Sequence, residues 1–365
     1  MSRNPVPSII FDDPGAVPGL GPEYRTIAVG GRLLVRKADG SIQSLVDAGQ
    51  LYDVADPCVS WDATMIVFSG LEHPDSNWRI YQIDADGSRF KQLTHTDRAL
   101  DLSQFGAAAP FLACYDDFDP CYLPDHRIVF ASTRYPSIAS YDQLLTSNLF
   151  VIHSDGTGIK RLTTERNGGE EPSIDPITGR IVYARWWVNI DQPSNQTRDG
   201  ISRVGNQTLT DDVANIWHAV SIRPDGTELK LYAGFPRTRF GTQTYKPSLL
   251  DDGRLLSVFS PRTSMTPTIG GTGIRWFNMG ADFEHHVIGV RSDQSFLEGE
   301  AIKAPYATDP VQLEGETILF SYSADGKDFG LYSCKLDGSD LQKVIDMPGT
   351  HELDVQVLKP RPIPP

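Results

Sequence analysis

The chain has 365 residues, with 33 Lys and Arg against 47 Asp and Glu, and its formal charge of −14 argues against a general nucleic-acid or anionic-membrane surface. Hydrophobic residues at 39% and aromatics at 10% supply a core and exclude wholesale disorder, while no apolar run approaches the ~18 residues of a membrane-crossing helix. With 32 Gly and 26 Pro the composition points to many tight turns and an all-β chain. Residues 1–10 show no basic segment followed by an apolar one, so no secretory signal is visible. The four cysteines, Cys58, Cys114, Cys121 and Cys334, are too few for a disulfide scaffold and read as buried free thiols. Cys114 and Cys121 would pair only if a loop or two strands brought them together.

Residues 1–23 read as an N-terminal extension, and 24–46 as two strands, an Asp39-Gly40 turn and a third strand, without an opening strand. From there two markers alternate. An acidic or polar residue before proline occurs at Asp56-Pro57, Asp119-Pro120, Glu171-Pro172, Lys246-Pro247 and Asp309-Pro310. A hairpin turn of Asp-Gly type recurs at Asp86-Gly87, Asp155-Gly156, Asp225-Gly226 and Asp337-Gly338, with a weaker Gly280-Ala281-Asp282 in the one gap. Between the markers lie paired β-rich runs: 65–68 with 79–83, 128–130 with 148–152, 181–183 with 215–217, 255–259 with 273–277, and 318–320 with 330–332. A short closing strand follows, as at 91–94 and 160–163. Four strands per unit is the blade pattern of a β-propeller. Residues 352–358 read as one more opening strand, which completes the 24–46 unit. The expectation is a six-bladed propeller of four-stranded blades over 24–358, its ring closed by one C-terminal and three N-terminal strands. The Pro-rich 359–365 then reads as a stiff tail that ends the domain or spaces it from another.

The unit running from Asp56-Pro57 and Trp61 through Ile80-Tyr81 and Asp86-Gly87 to Leu93-Thr94 resembles the TolB-type propeller repeat, and the resemblance covers five of the six units. A narrower similarity, at 115–125, 127–134 and 180–186, is to the propeller part of large bacterial proteins related to the hydrazine synthase alpha subunit. The first resemblance implies a periplasmic or secreted protein; the second implies a signal peptide and cytochrome c segments outside the propeller. No Cys-x-x-Cys-His occurs among the four cysteines, so the chain has no covalent haem motif.

In such blades the turns between strands one and two and between three and four share one face. These are uniformly short, whereas the connections on the opposite face hold every long insertion: 100–116, 135–147, 188–214, 261–272 and 291–305. Long loops on one face of a rigid scaffold mark the expected functional face. Trp186 and Trp187, with Asn189, Asp191, Arg198 and Arg203 of the insertion after them, combine flat aromatics with amide and charged groups suited to a sugar or a peptide. The alternative for the tryptophans is blade core. Asp56, Asp119, Glu171, Asp309 and Asp354 should converge on the central channel at the same face, interrupted by Lys246. Oxygen ligands of that kind suit a hard cation such as Ca²⁺, the alternative being that each caps a nearby amide. Asp116 and Asp117 belong to either picture. The eight histidines form no spaced zinc pattern, and there is no Gly-x-Ser-x-Gly elbow.

The expected function is a non-catalytic binding or assembly module that holds a protein partner or adjacent domain on the long-loop face. The alternatives are the propeller part of a multihaem redox enzyme and a carbohydrate-binding or lyase propeller.

Overall fold

The computed structural model describes residues 1–4, 28–46, 49–139, 145–189, 192–194, 203–204, 207–210, 214–234, 244–259, 272–291 and 303–365. Six four-stranded antiparallel sheets form the blades of a propeller. Blade 1 runs outward from Asp53–Val59 through Met65–Leu71 and Arg79–Asp84 to Lys91–Gln92. The inner strands of blades 2 to 5 are Asp117–Tyr122, Gly168–Ile174, Tyr245–Leu249 and Tyr306–Glu314. A further three-stranded sheet, Gln192–Ser194, Gln207–Thr210 and Arg203–Val204, belongs to the long insertion of blade 3.

The middle strands of blade 2 are covered on both sides by neighbouring blades, so they carry no alternation of polar and apolar residues. Ile128–Ser132 and Asn148–Ile152 of blade 2 are buried at every position. Continuous burial favours the β-branched and aromatic residues that fill these runs. The outer edge is held by turn chemistry that repeats with the sequence. Asp39, Asp86, Asp155, Asp225 and Asp337 each accept the backbone N–H two residues on, from Ser41, Ser88, Thr157, Thr227 and Ser339. The glycine between them takes a φ of 80 to 91°, which a side chain would resist.

Ring closure differs from the expectation in one strand. Blade 6 is His351–Glu352, Ser2–Arg3, Gly31–Arg36 and Ile42–Val46 in that order, so the second strand comes from residues 2–3 and not from the stretch beginning at Tyr24. Ser2 pairs with Glu352 on one side and Arg32 on the other. A two-residue strand contributes few ladder bonds, and the seam is reinforced by an ion pair. Arg3 reaches from blade 6 to Asp53 at the start of blade 1, with Nε to Oδ1 at 3.0 Å and Nη2 to Oδ2 at 2.6 Å. Both side chains are out of water, at 2% and 0% exposed. The C-terminal segment also differs. Its ladder ends at Glu352, and 359–365 lies back on the short-turn face, where Arg361 donates to the Trp61 and Val59 carbonyls. The Arg361 guanidinium sits 4.6 Å from the centre of the Trp61 ring, and Pro365 reaches Gly179 of blade 3.

A buried carboxylate stripped of its partner costs about 3–5 kcal/mol. Arg3→Met should therefore lower the unfolding free energy by about that much, read as a drop in urea midpoint, whereas Arg36→Met on the exposed end of the next strand should change it by under ~0.5 kcal/mol.

Candidate functional site

Each inner strand is interrupted where the acidic or polar residue meets proline. Asp56, Asp119, Glu171, Lys246 and Asp309 have φ values of 51, 50, 55, 47 and 54°, and Asp354 takes 48° at the matching place in blade 6. The ladder skips these residues, for example between Ala55 and Cys58 and between Phe118 and Cys121. Proline has no N–H to give the ladder, so a bulge forms there, and the left-handed residue turns its side chain into the channel.

The acidic groups link successive blades. Ser69 Oγ donates to Asp56 Oδ2 at 2.9 Å and accepts the N–H of Asp119 at 3.2 Å. The N–H of Glu171 donates to Asp119 Oδ2 at 2.8 Å, and that of Asp354 to Asp309 Oδ2 at 3.1 Å. Three of these bonds satisfy backbone amides, those of Asp119, Glu171 and Asp354, that make no ladder bond of their own.

Charge divides the ring in two. Lys246 Nζ lies 2.6 Å from Asp309 Oδ1, 2.8 Å from Asp354 Oδ1 and 3.9 Å from Glu171 Oε1. Burial, together with the Asp354 charge, pushes Asp309 above the ordinary carboxylate range. Asp354 is opposed by the same burial, but the Lys246 ammonium overcomes it and carries that carboxyl below the range. On the other side Asp56, Asp119 and Glu171 bring one carboxylate oxygen each within 4.8 Å of one another. The ring stands part-way along the inner strands. A cavity of about 500 Å³ runs from it along the strand ends past Trp61 to the tail residues Lys359 and Arg361. It therefore faces the short-turn side and not the long-loop side expected for these residues. Asp116 and Asp117 are not part of the ring: Asp116 accepts the Trp78 N–H, and Asp117 binds Arg134 Nη2 at 2.7 Å.

The tryptophan pair separates. Trp186 is buried and stacks on Trp217, its direct cross-strand partner, at 5.6 Å, while Tyr245 of blade 4 meets Trp217 edge-on at 4.8 Å. It is core between blades 3 and 4, which corrects its expected binding role. Strand alternation turns Trp187 to the other side, where it is 38% exposed and contacts the His218 ring. Burial, and then the Arg185 charge, push His218 down to about 4. Asn189 and Arg203 are described only as strand positions, and Asp191 and Arg198 lie outside the described residues.

One juxtaposition was missed in the sequence. Cys58 and Cys121, not Cys114 and Cys121, come together, with their sulfurs 3.6 Å apart on the channel wall of blades 1 and 2. The signal was present, since both stand two residues after the acid of an Asp-Pro pair.

No known protein family matches the chain in sequence, and neither does any curated protein. Among solved structures it is similar to hydrazine synthase from Kuenenia stuttgartiensis, with a TM-score of 0.68 and 16% identity over 97% of this chain and 45% of that one. It is also similar to TolB from Acinetobacter baumannii, with a TM-score of 0.48 and 13% identity over 84% of this chain and 57% of that one. An oligogalacturonate lyase in complex with manganese gives a TM-score of 0.44 and 14% identity over 84% and 72%. At 16% identity the likeness to hydrazine synthase is one of fold alone, and the chain spans about half the length of the first two structures.

Lys246→Met leaves two buried carboxylates without their cation, and should cost about 3–5 kcal/mol at pH 7. With the ammonium gone, both folded-state values lie above the ordinary carboxylate pKa, so the folded variant takes up protons more readily than the unfolded chain. Its deficit relative to wild type should then shrink as pH falls from 7 towards 4, as measured by urea midpoints of the two proteins.

Proposed function

We propose that this propeller is a non-catalytic binding module that holds a protein partner or a neighbouring domain on its long-loop face. The observation that carries the reading is a set of exposed apolar side chains towards that face in adjacent blades, three on its connections and Trp187 near the end of a strand that leads into one. Phe111, Tyr135, Ile138 and Trp187 are exposed, at 38 to 48%. Aromatics left in water across neighbouring blades of a rigid scaffold suit a protein interface, and the exposed Phe283 and Met279 stand apart from them at a short turn of blade 4. The charge of −14 favours a basic or neutral partner. A periplasmic or secreted setting belongs to the same reading, and among the described residues no helix is long and apolar enough to cross a membrane.

The proposed cofactor is Ca²⁺, held by Asp56, Asp119 and Glu171. Ligand oxygens within 4.8 Å of one another accord with Ca–O distances of ~2.3–2.6 Å about a shared ion. Adding Ca²⁺ to the chelator-treated protein should raise its thermal midpoint, and an unchanged midpoint would remove the ion from the reading.

A second reading, the propeller part of a multihaem redox protein, is favoured by the likeness to hydrazine synthase over 97% of this chain. Any covalent haem would have to lie outside it, because no Cys-x-x-Cys-His is present. Haem absorption in the protein from its native source, with an intact mass well above 40.3 kDa, would put this reading first.

For the first reading, a photoreactive residue placed at Phe111 or Trp187 in the native source should give one common covalent adduct. The same residue at exposed Leu341, beside a short Asp-Gly turn, should not. Equal labelling at all three positions, or none at the first two, would sink the reading. Phe111→Ser together with Trp187→Ala should reduce binding of the adduct's partner by about tenfold or more.

A further inference from the structure

We propose that Cys58 and Cys121 form a reversible disulfide that staples blade 1 to blade 2 at the channel wall, with a small-molecule disulfide as the oxidant. The propeller repeat makes this pair. In every blade the residue two beyond the left-handed position lines the same channel cavity, and the six occupants are Cys58, Cys121, Ser173, Ser248, Val311 and Gln356. Two consecutive blades carry thiols there, 63 residues apart, and their sulfurs are already in contact at 3.6 Å. A disulfide needs ~2.05 Å, so the remaining approach is about the scale of a side-chain rotation. The bulges on either strand, fixed by the Ser69 bridge between Asp56 and the Asp119 amide, hold the two backbones in that relation.

Reagents have a route to the pair. Both cysteines line the cavity of about 500 Å³, which borders the tail at Arg361. The other two thiols sit elsewhere: Cys334 is buried in blade 5, and Cys114 is exposed on the connection between blades 1 and 2. In the first step the Cys58 sulfur, its proton passed to water, attacks one sulfur of the small disulfide. A mixed disulfide forms, and a thiolate leaves and takes up a proton. The Cys121 sulfur, likewise deprotonated, then attacks Cys58 Sγ and expels the second small thiol. Two protein thiols and one disulfide become one protein disulfide and two small thiols; the protein loses two electrons and the reagent gains them.

The test uses the full chain carrying Cys114→Ser and Cys334→Ser, equilibrated with mixtures of oxidised and reduced glutathione and then trapped with an alkylating reagent. The expected result is loss of both remaining thiols together, a mass lower by about 2 Da, and a cross-linked peptide joining 53–59 to 117–122. The oxidised form should melt about 5 °C above the reduced one, and excess dithiothreitol should reverse the shift. Cys58→Ser and Cys121→Ser should each abolish the shift while leaving a folded protein, since Ser173 and Ser248 occupy the same place in blades 3 and 4. Two thiols that remain fully alkylatable in the most oxidising mixture would overturn the proposal. So would a link formed only between molecules, or a bond that forms without raising the melting temperature.

Discussion

Six residues in left-handed conformation, one per blade, set the terms for the interior of this protein. A non-glycine residue held there costs on the order of 1–3 kcal/mol, and the proline after five of them removes a ladder donor as well. The chain offsets this by choosing side chains that accept hydrogen bonds. Asp119 receives the amide of Glu171, and Asp309 that of Asp354, so strain within one blade becomes a bond to the next. The solution concentrates carboxylates on one axis. Lys246 at the fourth position relieves half of that ring, and Asp56, Asp119 and Glu171 make up the other half.

The blades were legible because their signals are local. An Asp-Gly-Ser or Asp-Gly-Thr turn works through a bond spanning two residues, and proline interrupts a ladder wherever it stands. What was not legible depends on partners far away in sequence. Ser2–Arg3 is too short to show alternation and contains no apolar residue, and its place follows from Glu352 and Asp53. Trp186 and Trp187 look equivalent in sequence; Trp217 and Tyr245 decide which is core. Composition gave the stiffness of 359–365 but not its direction, which the Trp61 ring fixes. The acidic ring was legible as a set of residues, and its depth was not, because one bulge in the middle of a strand decides which end of the channel it faces.

Exposed apolar side chains stand on both faces of the propeller, Phe111, Tyr135 and Ile138 on long connections and Ile177, Met279 and Phe283 at short turns, while the charged cavity crossed by the tail lies on the short-turn side. A fold used for many activities gives no function by itself.

The seam of blade 6 joins residues from the two extremities of the chain. A contact between residues roughly 350 apart carries a large loop-closure entropy, so it is expected to form late in folding. Until it does, five finished blades stand as an open arc with an unpaired strand at each end. Such edges are templates for pairing with another chain. The pairing of Ser2 with Glu352 and the bond from the Met1 ammonium to the Leu353 carbonyl at 2.8 Å are then the latch, and Arg3–Asp53, which joins residues near one another in sequence, holds the latch strand ready against blade 1.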